Sequence, residues 1–255
     1  MKIIAFSNTK GGTGKSTCSI SIAGSLAKRG NRVLLVDADP ATRTSTTWFG
    51  LDDPGPDILQ AFVEQNSLAP FVQSPEGVEN LDVLPSTLYF EQAEGLLSTR
   101  SLAATQELSV ALQEFSDYDF VLLDTPPQPS SFFFKSALVA ADRIVVVVDA
   151  TLVGVTATLT ALEIIERHSK IAQKPDLFAG LILNRHDQRL SVSNQVHEYL
   201  TVQDLNVPIW IVSESTGIQQ AQAERTPISH QSGLSNTAKR VVRQFRSITK
   251  EIEAA

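Results

Sequence analysis

The sequence is poor in the residues that build disulfide frameworks and metal centres. Its 255 residues contain a single cysteine, Cys18, and four histidines. One thiol excludes an internal disulfide framework and any site that needs several thiolates, such as an iron–sulfur cluster. A single reduced thiol is also typical of a cytoplasmic protein. The histidines are scattered without the spacing of metal ligands, so we assign them no role.

Long apolar runs and an excess of basic residues are absent as well. No stretch approaches the roughly 18 consecutive apolar residues of a membrane span, and the N-terminal apolar run is too short for a signal peptide. The 28 acidic residues outnumber the 21 lysines and arginines, which gives a formal charge of −7. Nucleic acid or anionic lipid would therefore have to bind at a local patch. We expect a cytoplasmic protein without a transmembrane segment.

The length and composition are those of one globular domain. With 42% hydrophobic and 19% charged residues, a chain of this length can bury a core without metal or disulfide staples. It has no internal repeat, low-complexity tract or long linker. We interpret the least regular stretch, residues 50–79, as a surface excursion with one short helix. A single domain over residues 1–255 is expected.

Short runs rich in Val, Ile and Leu alternate with segments of helical spacing. Several runs are apolar without alternation, which is typical of strands covered on both faces. The pattern predicts an α/β fold with a doubly wound, mostly parallel sheet and helices on both faces. The predicted strands are residues 3–6, 33–36, 81–84, 120–123, 144–148, 181–183 and 209–212. The predicted helices are residues 16–29, 101–115, 155–172, 193–205 and 234–252.

A glycine-rich loop lies between the first predicted strand and the first predicted helix. The backbone N–H groups of such a loop turn toward one point and, with the helix N-terminus, bind the phosphates of a nucleotide. Lys15 is placed to reach the β- and γ-phosphates, and the Ser16 hydroxyl to ligate Mg²⁺. We therefore predict an ATP site in a phosphate loop (P-loop). Its residues are Gly11, Gly12, Thr13, Gly14, Lys15, Ser16 and Thr17.

Two further predicted strands end in aspartates. Asp37 and Asp39 follow residues 33–36, and Asp124 follows residues 120–123. Parallel strands present their carboxyl ends at one edge of the sheet, so these carboxylates should lie beside the phosphates. Asp124 has the form of a Walker B aspartate, which holds Mg²⁺ directly or through water. Asp39 and Asp37 are candidates for orienting the attacking water and the water shell of the metal, although a structural turn role is an equal alternative for Asp37.

The three motifs resemble those of the ParA/MinD family of deviant Walker P-loop ATPases. The sequences KGGTGKS, DADP and LLDTPP have the order and spacing of that family, and the strand pattern matches along almost the whole chain. The resemblance implies a dimer that sandwiches two ATP molecules, with the signature lysine, here Lys10, reaching the nucleotide of the partner. It also implies that Asp39 positions the hydrolytic water and that Asn184 contacts adenine. The predicted catalytic residues are Lys10, Lys15, Asp39 and Asp124.

The sequence departs from the family pattern at two positions. Thr9 stands where the usual P-loop begins with glycine, and Lys10 opens the loop in compensation. Ala41 stands where the family frequently has glutamine. Since the second aspartate remains, we expect hydrolysis to persist with an altered rate or switch-loop geometry. A nucleotide-dependent binding module with negligible hydrolysis is the alternative.

The C-terminal segment carries a basic stripe beside an apolar one. The basic residues are Lys239, Arg240, Arg243, Arg246 and Lys250, with no acid among them. This pattern fits three kinds of helix. The first is a terminal helix with a solvated cationic face, the second binds DNA phosphates without sequence specificity, and the third lies on a membrane surface. The apolar stripe lacks the bulky aromatic cluster that favours insertion, so the membrane interpretation is the least favoured.

ParA relatives also place arginines after the sixth strand and in the loop after the seventh. Arg189 matches the first region, and Arg185 is close to it. The second region, residues 213–217, has an acid and no arginine, and Arg225 would substitute only if the fold places it on the same face. We therefore include Arg185, Arg189 and Arg225 among the predicted DNA contacts.

The resemblance favours a ParA-type positioning ATPase. Such a protein uses ATP and Mg²⁺, forms a homodimer when ATP binds, and then holds DNA nonspecifically, so that it associates with the nucleoid. A ParB-type adaptor protein stimulates hydrolysis and thereby releases the plasmid, chromosome region or other cargo. Two alternatives stay open. One is a MinD-like regulator that cycles on membranes, and the other is a metabolic P-loop enzyme that phosphorylates or amidates a small molecule.

Overall fold

One seven-stranded parallel sheet organises the chain. The computed structural model describes residues 1–90, 105–203 and 205–254. The strands are β1 (Lys2–Ser7), β2 (Val33–Asp37), β3 (Leu81–Leu84), β4 (Phe120–Asp124), β5 (Arg143–Asp149), β6 (Phe178–His186) and β7 (Ile209–Ser213). Their order across the sheet is β3-β2-β4-β1-β5-β6-β7, and every neighbouring pair is parallel. Each predicted strand is confirmed, because each apolar run lies within one of these seven.

Nine α-helices are formed by the described residues. They are α1 (Lys15–Ala27), α2 (Thr44–Phe49), α3 (Asp57–Glu64), α4 (Glu107–Ala111), α5 (Phe132–Ala140), α6 (Leu152–Ala172), α7 (Ser191–Val202), α8 (Gly217–Ala223) and α9 (Asn236–Ala254). The predicted helices correspond to α1, α4 with the following 3-10 turn Leu112–Phe115, α6, α7 and α9. Residues 101–104 of the second predicted helix lie outside the described residues. Within the part of the chain that is described, no helix is both long and apolar enough to cross a bilayer.

The sheet carries a hydrophobic core on each face, as the pattern predicted. In β1, Ile3 and Ala5 belong to one core cluster, whereas Ile4 and Phe6 belong to the other. Helices α1 and α9 cover the face of Ile4 and Phe6, and α3, α5 and α6 cover the opposite face. Alternate side chains of a strand point to opposite faces, so a strand buried on both sides must be apolar throughout.

The stretch interpreted as a surface excursion holds the short helix that was expected, α3, and this helix also contributes to the core. Ile58 and Phe62 of α3 are 1% and 3% exposed. Their four-residue spacing places both side chains on one face of the helix. The ring of Phe62 contacts the rings of Phe90 and Phe132 in edge-to-face geometry. Helix α3 therefore packs its apolar face into the core on one side of the sheet.

The strand order brings three loops to one edge. Strand β1 lies between β4 and β5, so the glycine loop that follows β1 is flanked by the ends of both. In the register of the sheet, Asp37 at the end of β2 is opposite Asp124 at the end of β4. Ligands of open parallel sheets bind at this carboxyl edge. The fold thus places the predicted loop and both acidic strand ends together.

Two isoleucines of α6 test how this helix packs on the sheet. Ile165 is 1% exposed and Ile171 is 75% exposed. We expect Ile165→Ala to lower the free energy of unfolding by about 2–5 kcal/mol, because it leaves a cavity in the core. The matched variant Ile171→Ala should change it by less than about 0.5 kcal/mol. Urea unfolding followed by circular dichroism measures both, and equal effects would contradict the placement of α6.

Candidate functional site

The glycine loop between β1 and α1 adopts, at two positions, a left-handed backbone that favours glycine. Gly12 and Gly14 have φ angles of 77° and 96°, in the left-handed region. A Cβ atom on Gly14 would also lie 2.1 Å from Nδ2 of Asn184. The loop therefore keeps its backbone amides accessible, as phosphate binding requires.

Two polar residues at the start of the loop anchor it to neighbouring elements. The side-chain amide of Asn8 donates to the carbonyl of Val147 in β5 at 2.7 Å. The hydroxyl of Thr9 donates to the carbonyl of Ala157 in α6 at 2.9 Å. Thr9 thus has a structural reason to replace the usual glycine, because its hydroxyl ties the loop to α6. Sequence reasoning missed Asn8, for which the pattern gave no signal.

Lys15 lies buried under the loop at the start of α1. Its side chain is 6% exposed, and Nζ is 3.5 Å from the carbonyl oxygen of Lys10. Burial lowers the pKa of Lys15, and the negative charges of Asp124 and Asp39 oppose this effect. The structure therefore brings the predicted phosphate-binding lysine to the predicted acidic residues.

Asp124 and Asp37 form a pair of carboxylates at the ends of adjacent strands. Asp124 is completely buried, and its Oδ2 accepts a hydrogen bond of 2.7 Å from the hydroxyl of Ser45. The other oxygen, Oδ1, has no hydrogen-bond partner among the described residues. Asp37 is 3% exposed, and its Oδ2 accepts from both the N–H and the hydroxyl of Thr46, each at 2.8 Å. Helix α2 is therefore tied to both carboxylates.

The buried environment raises the pKa of both carboxyls of this pair. Burial and the charge of Asp124 raise the pKa of Asp37 to about 7. Burial likewise raises the pKa of Asp124 to about 6, while the nearby hydroxyls of Ser45 and Ser16 and the charge of Lys15 oppose this rise. A buried carboxylate oxygen without a partner and a neighbouring serine hydroxyl are ligands that suit Mg²⁺.

The residues fit the Mg²⁺ that the fold family implies, as part of a larger coordination shell. Within residues 1–90, 105–203 and 205–254, no three His, Cys, Asp or Glu side chains are arranged to hold a metal by themselves. Mg²⁺ commonly takes one or two carboxylates and completes its shell with phosphate oxygens and water. Ser16 and Asp124 would then hold the ion directly, and Asp37 through water.

Asp39 lies in the turn that leads from β2 to α2. It is 5% exposed, and its carboxylate accepts from the N–H of Ala41 at 3.2 Å and from the hydroxyl of Thr42 at 3.0 Å. The turn itself thus orients Asp39 toward the site that contains Lys15 and Asp124. Ala41 takes part through its backbone, so no glutamine side chain is needed to hold this geometry.

The side chain of Lys10 contacts an acid of its own chain. Its Nζ is 2.7 Å from Oδ2 of Asp149 and 3.4 Å from the hydroxyl of Thr151. Asp149 ends β5, next to the loop, and sequence reasoning overlooked it. The signal that would have found it is the one used for Asp37 and Asp124, an acid directly after an apolar strand.

Asn184 and Arg185, at the end of β6, both contact the glycine loop. Asn184 is 4% exposed, and its Nδ2 donates to the carbonyl of Thr13 at 2.9 Å. Nη1 of Arg185 donates to the carbonyl of Gly12 at 3.0 Å. The adenine contact of Asn184 stays a prediction. For Arg185, the structure favours a place at the loop over the predicted DNA contact.

Two of the remaining predicted DNA contacts share a cleft, and Arg225 lies apart from it. Arg189 and Arg240 line one polar cleft of about 560 Å³ that also contains serine and threonine hydroxyls. Arg189 forms a two-pronged ion pair with Asp187 and lowers the pKa of that carboxyl to about 2. Arg225 does not line this cleft. Its guanidinium packs over Gly50, where a Cβ would lie 2.5 Å from Nη1, so the fold does not place it with Arg189.

Helix α9 presents its basic stripe to solvent. Its apolar residues Val241, Phe245 and Ile248 are buried against the sheet and α1. The basic residues are all exposed, namely Lys239, Arg240, Arg243, Arg246 and Lys250. Because the apolar face is already covered, the membrane-surface interpretation of this helix loses its support.

The strand order, glycine loop, buried lysine and acidic strand ends define a P-loop nucleoside triphosphatase fold. A sequence family described as an AAA domain matches residues 1–175. The sporulation initiation inhibitor protein Soj of Bacillus subtilis is 31% identical over 203 residues, which are 77% of this chain and 78% of Soj. The virulence plasmid ParA family protein pGP5-D of Chlamydia psittaci is 28% identical over 256 residues, covering 99% of this chain and 95% of that protein.

The solved structures agree with this fold. Apo McdA of Cyanothece superposes with a TM-score of 0.86 at 21% identity, covering 99% of both chains. A plasmid partition protein of Borrelia burgdorferi bound to AMPPNP superposes with a TM-score of 0.78 at 22% identity, covering 98% of both chains. The chain belongs to the ParA branch of the ParA/MinD family of P-loop ATPases.

The raised pKa of Asp37 predicts a pH dependence of stability without nucleotide and Mg²⁺. The folded state holds the proton more tightly than the unfolded chain, whose pKa is near 4. The stabilisation that this bound proton gives the folded state is therefore complete below pH 4 and is lost as the pH rises through about 7. Between pH 6 and pH 8, the free energy of unfolding of the wild type should fall by about 1 kcal/mol more than that of Asp37→Asn.

Urea unfolding of both proteins at the two pH values measures this difference. Histidines titrate in the same range, but they are present in both proteins and cancel in the comparison. Parallel pH profiles would contradict the raised pKa of Asp37.

Proposed function

We propose that this protein is a ParA-type positioning ATPase that binds DNA nonspecifically in its ATP state. The observation that supports this most is the convergence of the glycine loop, Lys15, Ser16 and Asp124 at one sheet edge, in a chain of the ParA branch. Its cargo would be a plasmid, a chromosome region or another large body. The protein would be cytoplasmic and associated with the nucleoid when ATP is bound.

The loop backbone and the side chains around it have separate roles in ATP binding and hydrolysis. Backbone amides of residues 11–16 bind the phosphates, and Lys15 adds its charge at the β- and γ-phosphates. Ser16 and Asp124 would hold Mg²⁺, which would supply positive charge beside the phosphates. Asp39, held by the turn at Ala41 and Thr42, orients the attacking water. Ser45 keeps Asp124 aligned through its hydrogen bond to Oδ2.

Dimer formation would require Lys10 to exchange its partner. In the single chain, the ammonium group is held by Asp149, so it must leave that carboxylate before it reaches the nucleotide of a second subunit. Leu152 and Val153 follow closely in sequence and are 64% and 67% exposed. Apolar side chains so exposed at the edge of the site are suited to burial in an ATP-bound homodimer.

The DNA-binding surface would combine α9 with the cleft of Arg189 and Arg240. The chain as a whole has a formal charge of −7, so DNA phosphates are attracted only by local basic patches. One copy of this patch provides few phosphate contacts. A dimer doubles the number of contacts, and affinity for DNA rises steeply with that number. Hydrolysis stimulated by a ParB-type adaptor protein would separate the subunits and release the DNA.

The ion pair between Lys10 and Asp149 predicts the effect of its removal. Asp149→Asn keeps the size of the side chain but frees the lysine, so the dimer in MgATP should tighten by about fivefold. Sedimentation velocity across a concentration series measures the dissociation constant, and a melting curve confirms that the variant is folded. Lys10→Ala should fail to dimerise in the same buffer. Unchanged dimerisation of Asp149→Asn would contradict the proposed exchange of partners.

Binding to a random-sequence duplex tests the proposed function directly. Fluorescence anisotropy should show binding with ATP and none with ADP, and the affinity should fall steeply with salt. Arg243→Ala with Arg246→Ala should lower the slope of log affinity against log salt by about 2 for each chain. Arg167→Ala with Lys170→Ala removes the same charge from exposed positions of α6 and should leave the slope unchanged.

Absence of binding in both nucleotide states would overturn the DNA-tethered function. Pelleting with anionic liposomes in ATP would then support the MinD-like alternative. ATP turnover that requires a small-molecule acceptor and ignores DNA would support a metabolic enzyme.

A further inference from the structure

Strand β6 is irregular at the point where it meets the glycine loop. Leu183 is opposite Ile211 and His186 is opposite Ser213, so β6 has one more residue than β7 over this interval. Arg185 lies inside this bulge with a φ of 56°, in the left-handed region that residues other than glycine rarely adopt. Bulges re-aim side chains, and strained backbone of this kind is concentrated at functional sites.

The bulge directs two consecutive side chains onto two consecutive carbonyls of the loop. Arg185 donates to the carbonyl of Gly12 at 3.0 Å, and Asn184 donates to the carbonyl of Thr13 at 2.9 Å. In a trans peptide the C=O and N–H bonds point in opposite directions. Holding the carbonyl of Gly12 therefore turns the N–H of Thr13 to the other side. Holding the carbonyl of Thr13 does the same for the N–H of Gly14.

These two amides belong to the set that a P-loop offers to phosphate. Without these two hydrogen bonds, the carbonyls would be free to turn toward the phosphate side of the loop in place of the amides. Their oxygens would repel the phosphate oxygens there. The guanidinium of Arg185 also places a positive charge at the loop. Burial raises the pKa of the Cys18 thiol in α1, and the charge of Arg185 opposes that rise. Its field therefore reaches the first turn of the helix behind the loop.

We propose that Arg185 is a positioning residue of the nucleotide site, which together with Asn184 fixes the peptide planes that present the Thr13 and Gly14 amides to the phosphates. The proposal rests on the proposed nucleotide site and replaces the predicted DNA contact of this arginine. Arg189 and Arg240 line the polar cleft, but Arg185 does not.

Arg185→Gly separates this role from a merely structural one. Glycine adopts the left-handed backbone without strain, so the melting temperature of the nucleotide-free protein should stay equal or rise. The dissociation constant of MgADP, measured by calorimetry, should nevertheless increase by about tenfold. Arg185→Lys keeps a charged donor and should restore most of this affinity. Gln173→Gly is the matched control, since Gln173 is also exposed and has a φ of 53°, but ends α6.

Hydrogen exchange of the nucleotide-free protein gives a second readout. The Thr13 and Gly14 amides should exchange faster in Arg185→Gly than in the wild type and the Gln173→Gly control. DNA binding of Arg185→Gly at saturating MgATP should equal that of the wild type.

Wild-type affinity for MgADP together with unchanged exchange would overturn the positioning role of Arg185 and leave the proposed function intact. Wild-type affinity for MgADP with a loss of DNA binding would also overturn it, in favour of the DNA contact. If the wild type itself does not bind MgADP, the proposed nucleotide site fails, and the role of Arg185 fails with it.

Discussion

The burial of two aspartates beside each other, next to a buried lysine, is the constraint on which the rest of the site depends. Asp37 and Asp124 are in register at the ends of neighbouring strands and are almost inaccessible to solvent. Two carboxylates in such a place repel each other, and desolvation adds to the cost of ionising them. Lys15 offsets part of this cost, and a bound cation would offset more. We therefore infer that this sheet edge is suited to binding Mg²⁺ and phosphate.

The same pair of carboxylates determines the position of helix α2. Ser45 donates to Asp124, and Thr46 donates to Asp37 and accepts from the N–H of Ser86. A helix of only six residues would not be stable in isolation. Its attachment to the acidic pair stabilises it and fixes the preceding turn that carries Asp39. A cation at Asp124 would act on the same hydrogen bonds, which connects the metal site to this turn.

The sequence predicted the seven strands and the acids at the ends of β2 and β4 because both are local properties. Apolar runs without alternation specify strands covered on both faces, and an acid that directly follows such a run must lie at the carboxyl edge. Short helices such as α2 escaped prediction because tertiary hydrogen bonds stabilise them. The position of Arg185 depends on a bulge and a left-handed φ, and that of Arg225 on packing over Gly50. Such directions are set by the assembled fold, so spacing along the chain cannot reveal them.

The site is most directly tested by titrating the wild-type protein with ATP in the presence of Mg²⁺ and again in EDTA. Calorimetry should show one ATP per chain with Mg²⁺ and much weaker binding in EDTA, because in the proposed site Ser16 and Asp124 would act on the phosphates through the ion. Absence of binding in both buffers, or equal affinity in both, would contradict the assignment of this sheet edge as a Mg²⁺-dependent ATP site.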